Sequence, residues 1–176
     1  MVKARTEVGD YLKILAFDQA SFKTGVAYFD GTTLLESAVI DYSKVKDTKQ
    51  RVEQMILSVL LLIKEKCPDV VVIEDVALQR NAAVLIMLSR IQGAILGHCF
   101  EKGIVSVIYK PSQWRSMLGF IQGGKVKRAD LKKQAMDFVM EHYGREVAED
   151  EADAICIGCA FACALTNEAG EENAGE

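Results

Sequence analysis

The sequence has no uninterrupted apolar run that approaches the roughly 20 residues of a membrane-spanning helix. Its first ten residues, MVKARTEVGD, also lack the apolar core of a signal peptide. With 176 residues, half of them apolar and 26% charged, the chain fits one globular domain with a buried core. We therefore expect a single domain over residues 1–166 in a cytoplasmic protein.

A disulfide framework is also missing, because five cysteines are an odd number and cytoplasmic thiols stay reduced. Cys156, Cys159 and Cys163 fall on one face of a predicted helix. That spacing allows a metal site, but small residues of low polarity on one helix face are more often part of a core. We expect these three to be core residues.

Basic residues are absent from the C-terminal segment: residues 146–176 contain nine acids and no Lys or Arg. The other 145 residues hold all 21 basic side chains against 16 acids, so they carry an excess of five positive charges although the whole chain has a net charge of −4. A mildly basic body is compatible with a nucleic-acid partner. The acidic residues 167–176 are expected to form a disordered tail.

Hydrophobic periodicity predicts a sheet and a set of helices. Strand patterns occupy residues 11–17, 25–29, 32–42, 70–73 and 104–109, with a hairpin turn signal at Asp30-Gly31. Helical patterns occupy residues 47–67, 81–102, a short turn within 110–128, 129–143 and 150–165. No repeat or linker interrupts this order, so we expect an α/β fold with one five-stranded mixed sheet, an antiparallel meander plus parallel strands, flanked by helices.

Four carboxylates lie where predicted strands end or a predicted helix begins. They are Asp18, Glu74, Asp150 and Asp153. The first two follow buried strands, and the last two are one turn apart on one face of an apolar helix. Ligands gather at the carboxyl ends of strands in open α/β sheets, so we expect these acids to meet there. An all-oxygen site suits Mg²⁺ or Mn²⁺ and indicates metal-dependent phosphodiester chemistry.

Each of these acids also has a structural interpretation. Asp18 could cap a turn, and Glu74 could be a solvated charge at a strand end. Asp150 could be an N-cap, with Asp153 as the reciprocal acid of a capping box. The combination favours a site, because two neighbouring dications need several carboxylates to neutralise their charge.

Three stretches resemble the RuvC family of Holliday junction resolvases, within the ribonuclease H-like superfamily. FDQASFKTGVAYFD has an Asp at a strand end before a Thr-Gly step, VVVIEDVALQRN has a strand-ending Glu, and DEADAICIG has an Asp-x-x-Asp-Ala motif. The resemblance covers residues 11–165 and implies a ribonuclease H-like fold. It also implies two Mg²⁺ ions per active site, with Mn²⁺ as a substitute. The implied catalytic metal ligands are Asp18, Glu74, Asp150 and Asp153.

The resemblance implies a homodimeric endonuclease that cuts four-way DNA junctions with two symmetric nicks. The helix over residues 81–102, rich in small residues, is the expected dimer seam. Ala20 stands where the family has Gly, and residues 76–78 lack the family's junction-contacting aromatic residue. This divergence suits a phage-type member that acts on a wider set of branched DNA in a bacterial or phage-infected cell.

Residues 110–133 form a basic segment in which Asp130 is the single acid. Its glycines would let the backbone approach phosphates closely. The predicted DNA contacts are Lys110, Arg115, Lys125, Lys127 and Arg128. The alternative is a solvated loop and helix face. Trp114 could stack on a nucleotide or, as is more common, anchor the loop to the core.

Two other classes of function remain open. One is a nucleic-acid-binding protein of the same fold that does not cleave, although a pure binder gains nothing from acids beside phosphates. The other is a relative that cuts structured RNA or RNA–DNA hybrids, which would use the same metal chemistry in a differently shaped groove. Cleavage of junction, hybrid and linear duplex substrates separates the three.

Overall fold

A computed structural model describes residues 12–78 and 81–173, with side chains through residue 166. Within those ranges the chain forms five strands and five helices. In chain order they are β1 (Lys13–Asp18), β2 (Lys23–Asp30), β3 (Thr33–Asp41), α1 (Thr48–Lys66), β4 (Val70–Glu74), α2 (Ala82–Lys102), β5 (Val105–Tyr109), α3 (Pro111–Met117), α4 (Arg128–Tyr143) and α5 (Glu149–Asn173). Each predicted strand and helix is present, and most bounds agree to within two residues.

The strands form one mixed sheet in the order β3-β2-β1-β4-β5. β1, β2 and β3 pair antiparallel as the predicted meander, while β4 pairs parallel to β1 and β5 parallel to β4. The register sets Phe17 of β1 beside Ile73 of β4. The next residues, Asp18 and Glu74, therefore end adjacent parallel strands at the same edge of the sheet.

Alternating strand residues pack against helices on the two faces of the sheet. Ile14 and Ala16 belong to the core that includes α4 and α5, whereas Leu15 and Phe17 belong to the core that includes α1 and α2. All four side chains are fully buried. Apolar packing thus occupies both faces, and polar side chains collect at the edge where β1 and β4 end.

Both ends of helix α1 are set by particular residues. Asp47 precedes it, and the Asp47 carboxylate accepts a hydrogen bond from the Gln50 backbone N–H at 2.7 Å. Cys67 ends the helix in a left-handed conformation with a φ of 46°, and Pro68 follows. Because proline has no N–H to continue a helix, the chain turns back into β4 at this point.

Helix α5 lies close to the middle of the sheet because Gly158 has no side chain. A Cβ at this position would collide with the Phe29 ring of β2 and come within 3.1 Å of the Ala16 Cβ of β1. Residues 152–160 of the helix are all buried. This packing brings the start of α5 to the edge of the sheet where β1 and β4 end.

The start of α5 corrects one interpretation of the sequence. The Ala152 N–H donates to the Ala148 carbonyl at 2.9 Å, and helical structure begins at Glu149. Ala148 therefore occupies the N-cap position, and Asp150 lies inside the first turn. The N-cap interpretation of Asp150 is wrong.

The end of α5 also differs from the prediction. Helical backbone continues to Asn173, eight residues beyond the predicted end at Leu165, so residues 167–173 are helical where the sequence predicts a disordered tail. Residues 174–176 of that tail lie outside the described residues, as does Tyr11 at the predicted start of β1. The division into a domain over residues 1–166 and a separate tail stays a prediction.

The cysteine face of α5 is mostly core. Cys156 is fully buried and Cys159 is nearly so, whereas Cys163 is exposed. All five cysteines of the chain are free thiols. The core interpretation is confirmed for Cys156 and Cys159 and is wrong for Cys163, because burial along α5 declines after Ala162.

Helix α2 is apolar over most of its length, yet little of it is buried. Ile91, Ile95 and Cys99 face the core, whereas Ile86 and Phe100 are 51% and 90% exposed. By length and composition alone this helix could cross a membrane, and only 17% of its most apolar stretch is buried in the fold. Its buried residues anchor it to the sheet, and its outward face is an exposed apolar surface.

Candidate metal centre and nucleic-acid interface

The four predicted acids come together at the edge of the sheet. Asp18 and Glu74 are the last residues of β1 and β4, while Asp150 and Asp153 lie one turn apart near the start of α5. Burial raises the pKa of Asp18 well above its ordinary value, and the other three carboxylates raise it further. Such mutual effects require carboxylates that share a poorly solvated space. We call these four side chains the acidic centre.

Gly25 allows α5 to approach this edge. It pairs with Asp18 in the sheet register, and a Cβ at this position would collide with the Asp150 backbone oxygen and come within 3.1 Å of the Ala154 Cβ. The Thr-Gly step of the first motif and the Asp-Ala step of the last are therefore two sides of one contact. Any side chain at position 25 would push α5 and its acids away from β1.

Side chains also hold the bend that follows Asp18. The Thr24 hydroxyl donates to the Ala20 carbonyl at 2.8 Å and accepts from the Ala20 N–H at 3.1 Å. The Gln19 side-chain amide donates to the Glu74 backbone carbonyl. The Gln19 Oε1 atom is buried and has no hydrogen-bond partner among the described residues. An unsatisfied oxygen thus lies beside the ends of β1 and β4.

Two residues of α3 fix the Glu74 side chain. The Trp114 Nε1–H donates to Glu74 Oε1 at 2.9 Å, and the Arg115 guanidinium lies 3.8 Å from the same oxygen. Burial raises the pKa of Glu74, while the Trp114 hydrogen bond and two arginine charges oppose that rise. Glu74 is therefore a positioned carboxylate, and its interpretation as a solvated charge at a strand end is wrong.

Asp153 is a buried carboxylate with 8% of its surface exposed. Burial and the charge of Glu74 raise the pKa of Asp153 to about 6, against the opposing charges of two nearby cationic side chains. At neutral pH this residue is ionised in surroundings that already carry excess negative charge. A bound cation would relieve that excess.

Lys132 of α4 lies beside the acidic centre, although the sequence patterns did not single it out. Its Nζ lies 2.7 Å from Glu149 Oε2 and 3.8 Å from Asp150 Oδ1. Burial lowers the pKa of Lys132, but the Glu149 hydrogen bond and the nearby aspartates raise it more, so the net shift is upward. The neighbouring Lys133 lies on a different side of α4 and pairs with Asp137 instead.

The donor chemistry of this edge fits Mg²⁺ or Mn²⁺, which prefer oxygen ligands. The carboxylates repel one another, and the unsatisfied Gln19 oxygen could serve as an additional, uncharged metal ligand. In the described part of the chain, however, no group of three or more His, Cys, Asp or Glu side chains is already arranged to hold an ion. A bound ion would draw the carboxylates together and away from present partners such as Lys132.

The structure divides the five basic residues predicted to contact DNA into two groups. Arg115 and Arg128 lie beside the acidic centre, since the charges of both act on its glutamate. Lys110, Lys125 and Lys127 are exposed, with Lys110 before α3 and Lys127 before α4. Two of the five predicted residues therefore lie beside the acids, and all five belong to one stretch of chain over residues 110–128.

Trp114 is fully buried, which excludes stacking of its ring on a nucleotide. Its ring meets the Phe120 ring edge-to-face with centroids 5.8 Å apart, and Phe120 meets Phe138 of α4 in the same way at 5.8 Å. These aromatic contacts tie the connection between α3 and α4 to the core. The loop-anchor interpretation of Trp114 is confirmed, and its hydrogen bond to Glu74 is an additional role that the sequence did not predict.

A mixed sheet in this strand order, helical layers on both faces and acids at the sheet edge define a protein of the ribonuclease H-like class. Residues 14–161 match the family model described as Crossover junction endodeoxyribonuclease RuvC. The chain belongs to the RuvC family, whose members are metal-dependent nucleases. Family membership confirms the resemblance that the three sequence motifs indicate.

Two curated relatives show how far the similarity extends. The chain is 25% identical over 153 residues to the Crossover junction endodeoxyribonuclease RuvC of Caldicellulosiruptor saccharolyticus. This alignment covers 82% of this chain and 91% of the relative. The chain is 26% identical over 153 residues to the protein of the same name from Citrifermentans bemidjiense, covering 85% of this chain and 91% of the relative. The similarity therefore extends well beyond the acidic motifs.

Solved structures of resolvases have the same fold. A structure described as T. thermophilus RuvC in complex with Holliday junction substrate has a TM-score of 0.70 at 20% identity, covering 91% of this chain and 97% of that chain. The Fowlpox virus resolvase in complex with substrate Holliday junction DNA has a TM-score of 0.60 at 18% identity, covering 88% and 99%. The predicted ribonuclease H-like α/β fold is confirmed.

Proposed function

We propose that the chain is a metal-dependent endonuclease that resolves four-way DNA junctions, or related branched DNA, by paired nicks. The observation that carries this proposal is the meeting of the four acids at one sheet edge in a member of the RuvC family. Curated relatives are named crossover junction endodeoxyribonucleases, and two similar structures contain Holliday junction DNA. Phosphodiester hydrolysis is the chemistry that such a carboxylate cluster supports with divalent cations.

Asp18, Glu74 and one or both aspartates of α5 would hold two Mg²⁺ ions, with Mn²⁺ as a substitute. When bound, these ions would supply the chemistry for activation of a water nucleophile and for stabilisation of charge on the leaving oxygen. The contribution of the chain itself is positioning. Strand pairing holds Asp18, a Trp114 hydrogen bond holds Glu74, and the Gly25 contact seats the start of α5. Such preorganisation limits the rearrangement needed before cleavage.

Arg115 would offset charge on the scissile phosphate. Its guanidinium lies 3.8 Å from Glu74, and its buried Nε has no hydrogen-bond partner among the described residues. A phosphate oxygen at this edge would pair with the guanidinium in a charge-assisted hydrogen bond. The negative charge that builds on the phosphate in the transition state would then face a cation already in place.

Exposed basic residues between α3 and α4 support contacts with the DNA backbone beyond the scissile phosphate. Lys125 and Lys127 are exposed before α4, and Arg128 begins that helix. Gly123 in the same loop has a φ of 132°, a conformation that residues with side chains rarely adopt. We infer that this loop, together with Lys110 before α3, follows the phosphate backbone outward from the acidic centre.

Two cuts in a four-way junction require two active sites, and we assign the outward face of α2 to a homodimer. Ile86 and Phe100 on this face are exposed, and Gly93 and Gly97 lie between them at helical spacing. A Cβ at either glycine would meet nothing within 4 Å in a single chain. Two copies related by a twofold axis could therefore approach closely along this stripe and bury its apolar ends.

A variant that separates DNA binding from cleavage tests the proposal. Asp18→Asn keeps the size of the side chain and removes its charge, so it should abolish cleavage of a labelled four-way junction in Mg²⁺ while junction binding is kept or tightened. Asp41→Asn changes an exposed carboxylate at the end of β3 and should cleave as the wild-type protein does. Loss of binding together with cleavage in a folded Asp18→Asn protein would overturn the metal-site assignment.

The same assay distinguishes the other classes of function. Junction binding without cleavage in Mg²⁺ or Mn²⁺ would indicate a non-cleaving nucleic-acid-binding protein. Preferential cleavage of structured RNA or RNA–DNA hybrids would indicate the RNA-cutting alternative. Cleavage of flaps and three-way branches as well as four-way junctions would support the wider substrate range predicted for a phage-type member.

A further inference from the structure

Lys132 places a positive charge beside the acidic centre. Its Nζ lies 2.7 Å from Glu149 Oε2 and 3.8 Å from Asp150 Oδ1, and its side chain is 18% exposed. The field of this ammonium also reaches Asp18 and Asp153. The lysine therefore balances part of the negative charge that a metal ion would neutralise at the start of α5.

The other cations around the acids are placed differently. Arg115 is on the side of the centre nearest Glu74, at 3.8 Å. Lys133, the next residue along α4, pairs with Asp137 at 2.6 Å. Among the residues that the structure describes, Lys132 is the cation within ion-pair distance of the acids of α5.

We propose that Lys132 is a built-in counter-cation of the acidic centre. It balances the α5 carboxylates when no metal is bound, and it must give up its contact with Asp150 before a divalent cation binds there. Glu149 is its anchor, because the shorter contact to Glu149 retains the ammonium when Asp150 turns towards a metal. The inference rests on the proposed function, which assigns metal binding to the same carboxylates. Lys132 is thus a positioning residue that sets the metal concentration the site requires.

Electrostatics gives the direction of the effect. An ammonium and a dication that share a carboxylate repel each other, so removal of the ammonium should strengthen metal binding. By linkage, metal should then stabilise a protein that lacks the lysine more than one that has it. A lysine with a purely structural role would change stability by the same amount with and without metal.

Metal binding in the absence of DNA measures this coupling. Lys132→Gln and wild-type protein are titrated with Mg²⁺ and with Mn²⁺ by calorimetry, and their thermal unfolding is followed with metal and with EDTA. The half-saturating metal concentration of Lys132→Gln should fall by roughly three- to tenfold, and its metal-induced rise in Tm should exceed that of the wild type. Lys133→Gln, with the same substitution in an adjacent ion-paired lysine, should match the wild type in both.

Glu149→Gln supplies an independent variant with the opposite expected sign. It removes the anchor and lets the lysine close on Asp150, so its half-saturating metal concentration should rise above that of the wild type. An unchanged or lower half-saturating metal concentration in Glu149→Gln would contradict the proposal even if Lys132→Gln does not fold. Unchanged or weaker metal binding by Lys132→Gln would overturn the counter-cation proposal and leave the metal site intact. No response of the wild-type protein to Mg²⁺ or Mn²⁺ would overturn the metal site and the proposed function with it.

Discussion

Trp114 donates its indole N–H to Glu74 at 2.9 Å, so a fully buried core residue holds one of the acids at the sheet edge. The same ring packs against Phe120, which in turn packs against Phe138 of α4. The link from this aromatic packing to the acidic centre is the indole N–H itself. The connection between α3 and α4 also carries the basic residues proposed to contact DNA, which links both parts of the proposed site to one anchor.

Trp114→Phe should weaken metal use more than it weakens the fold. It keeps an aromatic ring against Phe120 and removes the hydrogen bond to Glu74. A hydrogen bond to a charged group contributes about 1.5–3 kcal/mol, so junction cleavage at limiting Mg²⁺ should slow by about tenfold or more, with partial recovery at high Mg²⁺. Cleavage rates across a Mg²⁺ series measure this. Phe120→Leu disturbs the same packing but keeps the N–H donor, and it should retain the wild-type Mg²⁺ dependence. If Trp114→Phe keeps the wild-type Mg²⁺ dependence of cleavage, the indole N–H does not contribute to metal use.

Gly25→Ala should displace the start of α5. Its Cβ would collide with the Asp150 backbone oxygen, and overpacking of this kind costs about 1–3 kcal/mol or more when backbone has to move. We expect a lower Tm and loss of junction cleavage. Gly124→Ala, whose Cβ meets nothing within 4 Å, should keep a wild-type Tm. Wild-type cleavage by Gly25→Ala would show that the seating of α5 against β2 is not required.

Asp153→Asn should stabilise the metal-free protein at neutral pH. Burial raises the pKa of Asp153 from its ordinary value of 3.8 to about 6. A raised folded-state pKa means that the contribution of the group is fully present below the unfolded value and is lost as the pH rises through the folded value. In EDTA, the unfolding free energy of the wild type should therefore fall relative to Asp153→Asn by about 1–3 kcal/mol between about pH 4 and about pH 7.

Urea unfolding at several pH values measures that difference. Asp41→Asn is the control with the opposite sign, because hydrogen bonds from Ser43 and then the charge of Lys23 lower the pKa of Asp41. Relative to Asp41→Asn, the wild type should gain stability as the pH rises. Saturating Mg²⁺ should reduce the advantage of Asp153→Asn at neutral pH. Parallel pH profiles for wild type and Asp153→Asn in EDTA would show that folding does not raise the pKa of Asp153.

Gly93→Glu should separate the proposed dimer without disturbing the single chain. A side chain at this exposed position in α2 meets nothing within 4 Å, and Glu favours a helix more than Gly does. Size-exclusion chromatography with light scattering should show a dimer for the wild type and a monomer for the variant. Leu57→Glu introduces the same charge on an exposed position of α1 and should remain dimeric. A dimeric Gly93→Glu protein would place the seam elsewhere.

Lys125→Ala and Lys127→Ala should each make junction binding less dependent on salt. A lysine that neutralises a phosphate releases counterions, so loss of one contact should reduce the slope of log affinity against log salt by about 1. Binding isotherms across a salt series measure the slope. Lys44→Ala removes an exposed lysine remote in sequence from the loop and should leave the slope unchanged. Wild-type slopes in both loop variants would favour a merely solvated loop.

Local sequence patterns predicted much of the fold and the identity of the acids. The continuous apolar run before Glu74 indicates a strand covered on both faces, and β4 lies in the interior of the sheet. The Asp30-Gly31 turn signal is matched by a φ of 56° at Gly31. Because parallel strands share an edge, strand order alone brings Asp18 and Glu74 together. These features depend on period and turn chemistry, which are visible in one sequence.

Contacts between elements were not predictable in the same way. The role of Lys132 depends on the phase of α4 relative to α5, and that of Trp114 on the direction of an indole N–H in the core. The extension of α5 beyond Leu165 occurs in an acidic segment whose composition indicates disorder. The roles of Lys132 and Trp114 result from tertiary packing, which no local pattern encodes.

The most direct test of the account is cleavage of a labelled synthetic four-way junction beside a linear duplex of matching sequence, each in Mg²⁺ and in EDTA. A metal-dependent junction resolvase should make two symmetrically placed nicks in the junction, leave the duplex uncut, and cleave neither in EDTA. Equal cleavage of the duplex, or junction cleavage that persists in EDTA, would contradict this prediction.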